Sequence, residues 1–167
     1  MGKDNFKGTK YLTKAALIAA MYVVLILIQI IPAASLVYGP VQLRLAEGLT
    51  VLPFLEAAAV PGLFIGCLLS NVILVFQSGF GIIDVVCGSL VTLIAAILTG
   101  KAKNKVMAFF PPILLNGFIV SIWVSYFTNI PYWTTVLTLM GGEAISVVIF
   151  GTIILYVYEH SKFYKRY

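Results

Sequence analysis

The chain has 167 residues, of which 61% are hydrophobic and only 10% are charged, whereas soluble domains carry about 25% charged residues. A core of this size cannot hide so much apolar surface, which excludes a soluble domain and predicts an integral membrane protein. The net charge of +5 does not indicate nucleic-acid binding, because the basic residues flank apolar runs, where topology and lipid headgroups account for them.

Apolar runs long enough to cross a bilayer recur along the chain, which predicts membrane-spanning helices and not a barrel. We expect one transmembrane domain over residues 1–167 with six helices, at about 12–31, 41–57, 61–76, 82–99, 106–127 and 137–158. Two prolines and a Gly-Pro pair predict a loop over Pro32–Pro40. Pro53 predicts a kinked or tilted second helix, and Glu56 at its end is expected to lie in water.

Six spans place both termini on one side of the membrane. The basic residues that flank the apolar runs then fall on that same side, which the positive-inside rule identifies as cytoplasmic. These residues are Lys3, Lys7, Lys10, Lys14, Lys101, Lys103, Lys105, Lys162, Lys165 and Arg166.

Arg44 and Glu47 are the most costly residues to place in a membrane, and their spacing of three puts them on one helix face. One interpretation is a structural ion pair at a helix entrance. The other is a binding site, since further polar residues are expected at the same outward depth. The proposed substrate-binding residues are Arg44, Glu47, Asn71, Gln77, Asp84, Asn116, Trp123, Trp133 and Glu143.

Acids outnumber the arginine in this set, which favours a ligand with a cationic group or N–H donors, such as an amine or the donor edge of a purine-like ring. Alternatives remain for single members. Asp84 would also suit the first turn of a helix as a capping residue, and Trp123 and Trp133 would also suit packing in the membrane or its interface.

No sequence motif indicates catalysis. The chain has no Walker A loop, no HExxH, no GxSxG and no cysteine cluster, so we predict no catalytic residue, no metal site and no cofactor. The inverted repeat usual in self-contained transporters is also missing, so any motor belongs to another chain. A self-contained channel or small carrier that works as an oligomer is the alternative.

The first helix carries two overlapping pairs of small residues, each with a spacing of four. Such pairs let another helix approach closely, although alanine is also simply common in helices. The predicted partner interface consists of Ala15, Ala16, Ala19 and Ala20.

The run VQLRLAEGLTVLPFLEAAAVPGLFIGCLLSN (Val41–Asn71), followed by GIIDVVCGSLVTLIAAILT (Gly81–Thr99), resembles the QueT family. The order RLxExLTVLPF, AVPGLFIGCLL and Gly-x-x-Asp-x-x-x-Gly-Ser is specific to this resemblance. The family consists of substrate-binding S components of energy-coupling factor (ECF) transporters.

This resemblance implies an all-helical six-span bundle in the cell membrane, that is, a bacterial plasma membrane, with both termini cytoplasmic. It implies uptake of a queuosine precursor, such as 7-aminomethyl-7-deazaguanine, with another vitamin or nucleobase-like solute as the alternative. The implied partners are a transmembrane coupling protein and two ATP-binding-cassette ATPases. The family's AxxxA motif, matched here by Ala15/Ala19 and Ala16/Ala20, would face the coupling protein.

Overall fold

This computed structural model describes residues 3–38 and 41–161. Over these residues the chain is helical without strands. The helical segments are α1 (Lys3–Tyr38), α2 (Leu45–Phe54), α3 (Ala59–Leu74), α4 (Gly81–Gly100), α5 (Lys105–Thr128) and α6 (Tyr132–His160). The basic tail residues Lys162, Lys165 and Arg166, the end of the predicted loop at Pro40, and the side chains of Lys3 and Lys7 lie outside the described part.

Within the described ranges, four helices are long and apolar enough to cross a membrane: Gly8–Val37 of α1, and α4, α5 and α6. Helices α2 and α3 are apolar but shorter. Large apolar side chains cover the outside of the bundle; Phe76 is 96% exposed and Ile31 is 89% exposed. Such a surface is stable only in contact with lipid or protein, so the chain is a membrane protein.

Helix α1 extends further at both ends than the predicted span 12–31. The predicted loop that begins at Pro32 is wrong where the structure describes it. The chain is helical again after Ala33, and helix α1 ends at Tyr38. Only Ala33 leaves helical geometry, with φ −151° and ψ 48°. A proline inside a helix removes one backbone hydrogen bond and clashes with the preceding turn, and here the chain relieves this with a single kink.

The predicted second span, 41–57, is also different in the structure. It contains a 3-10 helix, α2, of 10 residues, with Pro53 inside it, and not a kinked α-helix of membrane-spanning length. At about 2 Å per residue, α2 is about 20 Å long. The residues before it, from Gln42 to Arg44, are not helical.

Helix α2 is the centre of the bundle and packs against all five other helices. Its residues from Ala46 to Pro53 are buried. A Cβ on Gly48 would lie 2.6 Å from Phe150 Cβ of α6, so glycine is needed for this close approach. Because protein surrounds α2, its unusual geometry is not exposed to lipid, which is the condition under which such backbone is tolerated at membrane depth.

Helices α1 and α3 are also in close contact through small residues. A Cβ on Gly62 would lie 2.8 Å from the carbonyl oxygen of Ala15, and one on Gly66 would lie 3.0 Å from that of Ala19. Ala15 and Ala19 are both buried. The small-residue spacing in both helices therefore brings α1 and α3 of the same chain together.

The three long helices after α3 match the predicted spans 82–99, 106–127 and 137–158 closely, except that α6 begins earlier. Helix α3, predicted at 61–76, is shifted two residues towards the N-terminus. Each long helix contains one π-helical turn, at Asp84–Gly88, Asn116–Val120 and Ser146–Phe150. Such turns are frequent at functional sites, and two of them begin at a predicted binding residue.

Glu56, predicted to lie in water, is instead partly buried in the connection between α2 and α3. Its Oε2 forms an ion pair with Lys14 of α1 and accepts a hydrogen bond from the Tyr158 hydroxyl of α6 at 2.6 Å. Burial alone would raise the pKa of Glu56, but the hydrogen bonds from Lys14 and Tyr158 lower it. This charged group ties together three parts of the chain at one end of the bundle.

Candidate functional site

The site begins with Arg44 and Glu47, which form the ion pair that their spacing predicts. Arg44 Nη1 lies 3.8 Å from Glu47 Oε1, and Arg44 Nε donates to the carbonyl oxygen of Val37 at 2.6 Å. Glu47 is 2% exposed, and its Oε1 accepts a hydrogen bond from the Tyr22 hydroxyl at 2.6 Å. Glu47 Oε1 therefore has structural partners, Arg44 and Tyr22, as the ion-pair interpretation expects.

The second oxygen of Glu47, Oε2, is buried and accepts no hydrogen bond from any donor that the structure describes. Glu143 of α6 lies beside Glu47, close enough for a hydrogen bond between the two carboxyl groups when one of them is protonated. Asn116 Nδ2 of α5 donates to Glu143 Oε1 at 2.9 Å. Two buried carboxyl groups with spare acceptor capacity thus lie side by side.

A second group of predicted residues surrounds Asp84 of α4, which is 6% exposed. Trp123 Nε1 of α5 donates to Asp84 Oδ1 at 3.1 Å, and Asn71 Nδ2 of α3 donates to the Asp84 carbonyl oxygen at 2.9 Å. Helix α4 begins without a side-chain cap. Asp84 is the fourth residue of α4, so its charge also lies near the helix N-terminus, and Trp123 is its side-chain hydrogen-bond partner.

Arg44 interacts electrostatically with both Glu47 and Asp84, so the two groups form one polar cluster. We define the polar cluster as Tyr22, Arg44, Glu47, Asn71, Asp84, Asn116, Trp123 and Glu143. Its members come from α1, α3, α4, α5, α6 and the start of α2, and most of them are buried. Three acids share one arginine in this cluster, which leaves acceptor oxygens available to a ligand with N–H donors.

Two of the predicted binding residues lie outside the polar cluster. Gln77 is exposed in the turn between α3 and α4. Trp133 is 69% exposed, and its ring lies edge-on to Tyr132 with centroids 5.2 Å apart. Gln77 follows the end of α3 and Trp133 is the second residue of α6, and their sequence positions did not show which way the side chains face.

Sequence reasoning missed Tyr22 and Gln42. Tyr22 is 1% exposed and lies three residues after Ala19, on the helix face that packs inside the bundle. The spacing of three from Ala19 could therefore have predicted that Tyr22 is buried. Gln42 is 6% exposed, and its Nε2 has no acceptor within the described residues. Only the folded structure shows that this amide is buried.

The predicted interface alanines separate into two pairs. Ala15 and Ala19 are buried against α3, so the chain itself covers them. Ala16 and Ala20 are exposed. Only this second pair is open to another protein.

Comparisons with known proteins identify the family of this chain. A family model described as QueT transporter matches residues 12–160. A protein of Lactococcus lactis subsp. cremoris (strain MG1363), named queuosine precursor transporter QueT, is 29% identical over 148 residues, which cover 80% of this chain and 83% of the relative. No solved structure matches the chain.

The family match spans α2, all the helices that contribute to the polar cluster, and the exposed alanine pair. It also agrees with the apolar outer surface of the bundle. The chain therefore belongs to the QueT transporter family.

Proposed function

We propose that this chain is the substrate-binding S component of an ECF-type importer in the bacterial plasma membrane. Its substrate is a queuosine precursor of the 7-aminomethyl-7-deazaguanine class. The observation that carries the proposal is the polar cluster, in which buried carboxyl groups outnumber the single arginine. A related protein bears the name queuosine precursor transporter, which supports the substrate class.

The chemistry of this ligand complements the polar cluster. Its aminomethyl group is a cation, and its guanine-like edge carries adjacent N–H donors. Carboxylates accept such parallel N–H bonds well, and charge-assisted bonds are stronger than neutral ones. Glu47 and Glu143 offer their oxygens to these donors, and the Trp123 ring, held by Asp84, is available for stacking against the heterocycle.

The proposed topology has six passages and cytoplasmic termini. Helices α2 and α3 are shorter than a typical hydrocarbon core of about 30 Å. Helix α2 is shielded by its five neighbours, so its short length leaves no backbone group exposed to lipid. The polar cluster then opens towards the extracellular side, and the pair Lys14–Glu56 lies near the cytoplasmic side.

The proposed partners are a transmembrane coupling protein and two ATP-binding-cassette ATPases. Ala16 and Ala20 form the part of the small-residue motif that is still exposed on α1, and they offer a flat helix face for the coupling protein. The chain itself contributes selectivity in this scheme, and ATP hydrolysis takes place on the partner chains.

Transport assays in liposomes test whether this chain binds the substrate while the partner chains drive its uptake. We expect liposomes with the chain alone to bind labelled 7-aminomethyl-7-deazaguanine without accumulating it. Accumulation is expected only when the coupling protein and both ATPases are present with ATP. Sustained accumulation by the chain alone would contradict the proposal and indicate a self-contained carrier.

A further inference from the structure

Gln42 has a side-chain amide whose donor end is unused. The residue is 6% exposed, and Nε2 is buried without an acceptor among the described residues. A buried N–H group normally has a partner, because leaving one unpaired costs most of its desolvation free energy. An unpaired donor in a binding protein therefore indicates a place where a ligand atom accepts.

The backbone of Gln42 lies next to the polar cluster. An ideal Cβ on Gly142 would lie 1.9 Å from the Gln42 carbonyl oxygen, so Gln42 rests on α6 directly beside Glu143. Arg44, two residues further on, has extended backbone geometry with φ −107° and ψ 121°. The Arg44 side chain forms the ion pair with Glu47, so Gln42 lies between two members of the polar cluster along the chain and in space.

A second buried glutamine holds this segment in place. Gln29 of α1 donates through Nε2 to the carbonyl oxygen of Leu43, and its Oε1 accepts a hydrogen bond from the Leu45 backbone N–H at 2.8 Å. Both ends of the Gln29 amide are therefore satisfied by the backbone on either side of Arg44. Gln29 therefore has a structural role, whereas the side-chain N–H donor of Gln42 is still available to a ligand.

Each of the other donor residues in the polar cluster already has at least one partner. Arg44 binds Val37 and Glu47, and Asn71 and Trp123 each bind Asp84. The Asn116 amide binds Glu143. The hydroxyl oxygens of Ser70 and Ser121 are also without partners, but a helical serine can rotate towards the carbonyl four residues earlier.

We infer that Gln42 is the hydrogen-bond donor to the ring carbonyl of the bound heterocycle and selects a carbonyl over an amino group at that ring position. The inference rests on the proposed function, since it assigns a role within the same site. In this arrangement the carboxyl groups accept from the N–H donors of a guanine-like edge, and the Gln42 amide donates to its carbonyl oxygen.

Substitution of Gln42 by methionine tests the inference, because methionine keeps the approximate length of the side chain and removes the amide. The probes are 7-aminomethyl-7-deazaguanine and the analogue in which an amino group replaces the ring carbonyl. We expect the wild type to prefer the carbonyl form and Gln42→Met to bind it about tenfold more weakly. The preference for the carbonyl form should shrink by about the same factor in this variant, and the part that remains reflects the ring N–H next to the carbonyl, which the amino analogue also lacks.

Thermal unfolding of the empty protein separates this role from a structural one. We expect empty Gln42→Met to be at least as stable as the wild type, since an unpaired buried amide is removed. The matched control, Gln29→Met, should be less stable and should keep the preference for the carbonyl form.

Three results would overturn the inference. One is an unchanged probe preference in Gln42→Met, and another is a clear loss of stability in that variant without ligand. The third is a wild type that binds neither probe, which would contradict the proposed function as well. The first two leave the proposed function intact, so the failures are distinguishable.

Discussion

Replacing Glu47 with glutamine is expected to weaken binding of 7-aminomethyl-7-deazaguanine roughly 10- to 100-fold, the effect of losing one charge-assisted hydrogen bond. Glutamine keeps the shape of the side chain and an acceptor for the Tyr22 hydroxyl, which bonds to Glu47 Oε1 at 2.6 Å. It removes the negative charge and replaces the unpartnered Oε2 with a donor. Isothermal titration of the purified variant measures the effect.

A neutral ligand isolates the charge contribution. The 7-cyano analogue has no cationic group, so Glu47→Gln should weaken its binding much less than that of the aminomethyl compound. Equal losses for both ligands, or unchanged binding of the aminomethyl compound, would contradict a charged role for Glu47.

The matched control for this variant is Glu56→Gln. Glu56 is another ion-paired carboxylate, with Lys14 and Tyr158 as its partners, but it is only partly buried and lies outside the polar cluster. This control should lower the stability of the protein and leave ligand affinity unchanged.

Adding one methyl group at Gly142 is expected to have the second large effect. A Cβ there would lie 1.9 Å from the carbonyl oxygen of Gln42, a distance that no backbone contact tolerates, so the segment before α2 has to move. We expect Gly142→Ala to lose about 1–3 kcal/mol of stability or more, and to lose most of its ligand affinity. Thermal unfolding in detergent and a binding titration measure the two losses.

The neighbouring glycine provides the control. A Cβ on Gly141 meets nothing within 4 Å, and this residue is exposed on the same helix. Since alanine favours helix by up to about 1 kcal/mol over glycine, Gly141→Ala should be neutral or slightly stabilising. Similar behaviour of the two variants would show that Gln42 does not depend on contact with α6.

The long helices could be predicted from hydropathy because lipid selects for length and apolarity, and both are visible in the sequence. The geometry of α2 could not. Its apolar run has helical spacing, and Pro53 indicated a kink, but contact with five other helices decides its 3-10 conformation. The course of the chain after Pro32 could not be predicted either. A proline indicates that the helix is disturbed, but it does not show that the helix resumes after Ala33.

The polar cluster was predictable in part. The spacing of Arg44 and Glu47 identified their ion pair, and the rarity of acids in apolar runs identified Asp84 and Glu143. Gln77 and Trp133 lie at helix ends, where depth does not determine direction. Gln42 was missed because a polar residue at the end of a predicted helix is ordinary, and its burial depends on a contact with Gly142 that is distant in sequence.

The binding of 7-aminomethyl-7-deazaguanine to the purified chain alone, measured by isothermal titration, tests the central claim most directly. Guanine, the 7-cyano analogue and thiamine serve as comparisons. We expect tight binding of the aminomethyl compound and a marked loss of affinity when the aminomethyl group is removed or replaced. Failure to bind any deazapurine, or equal affinity for the aminomethyl and cyano compounds, would contradict recognition of a cationic deazaguanine by the polar cluster.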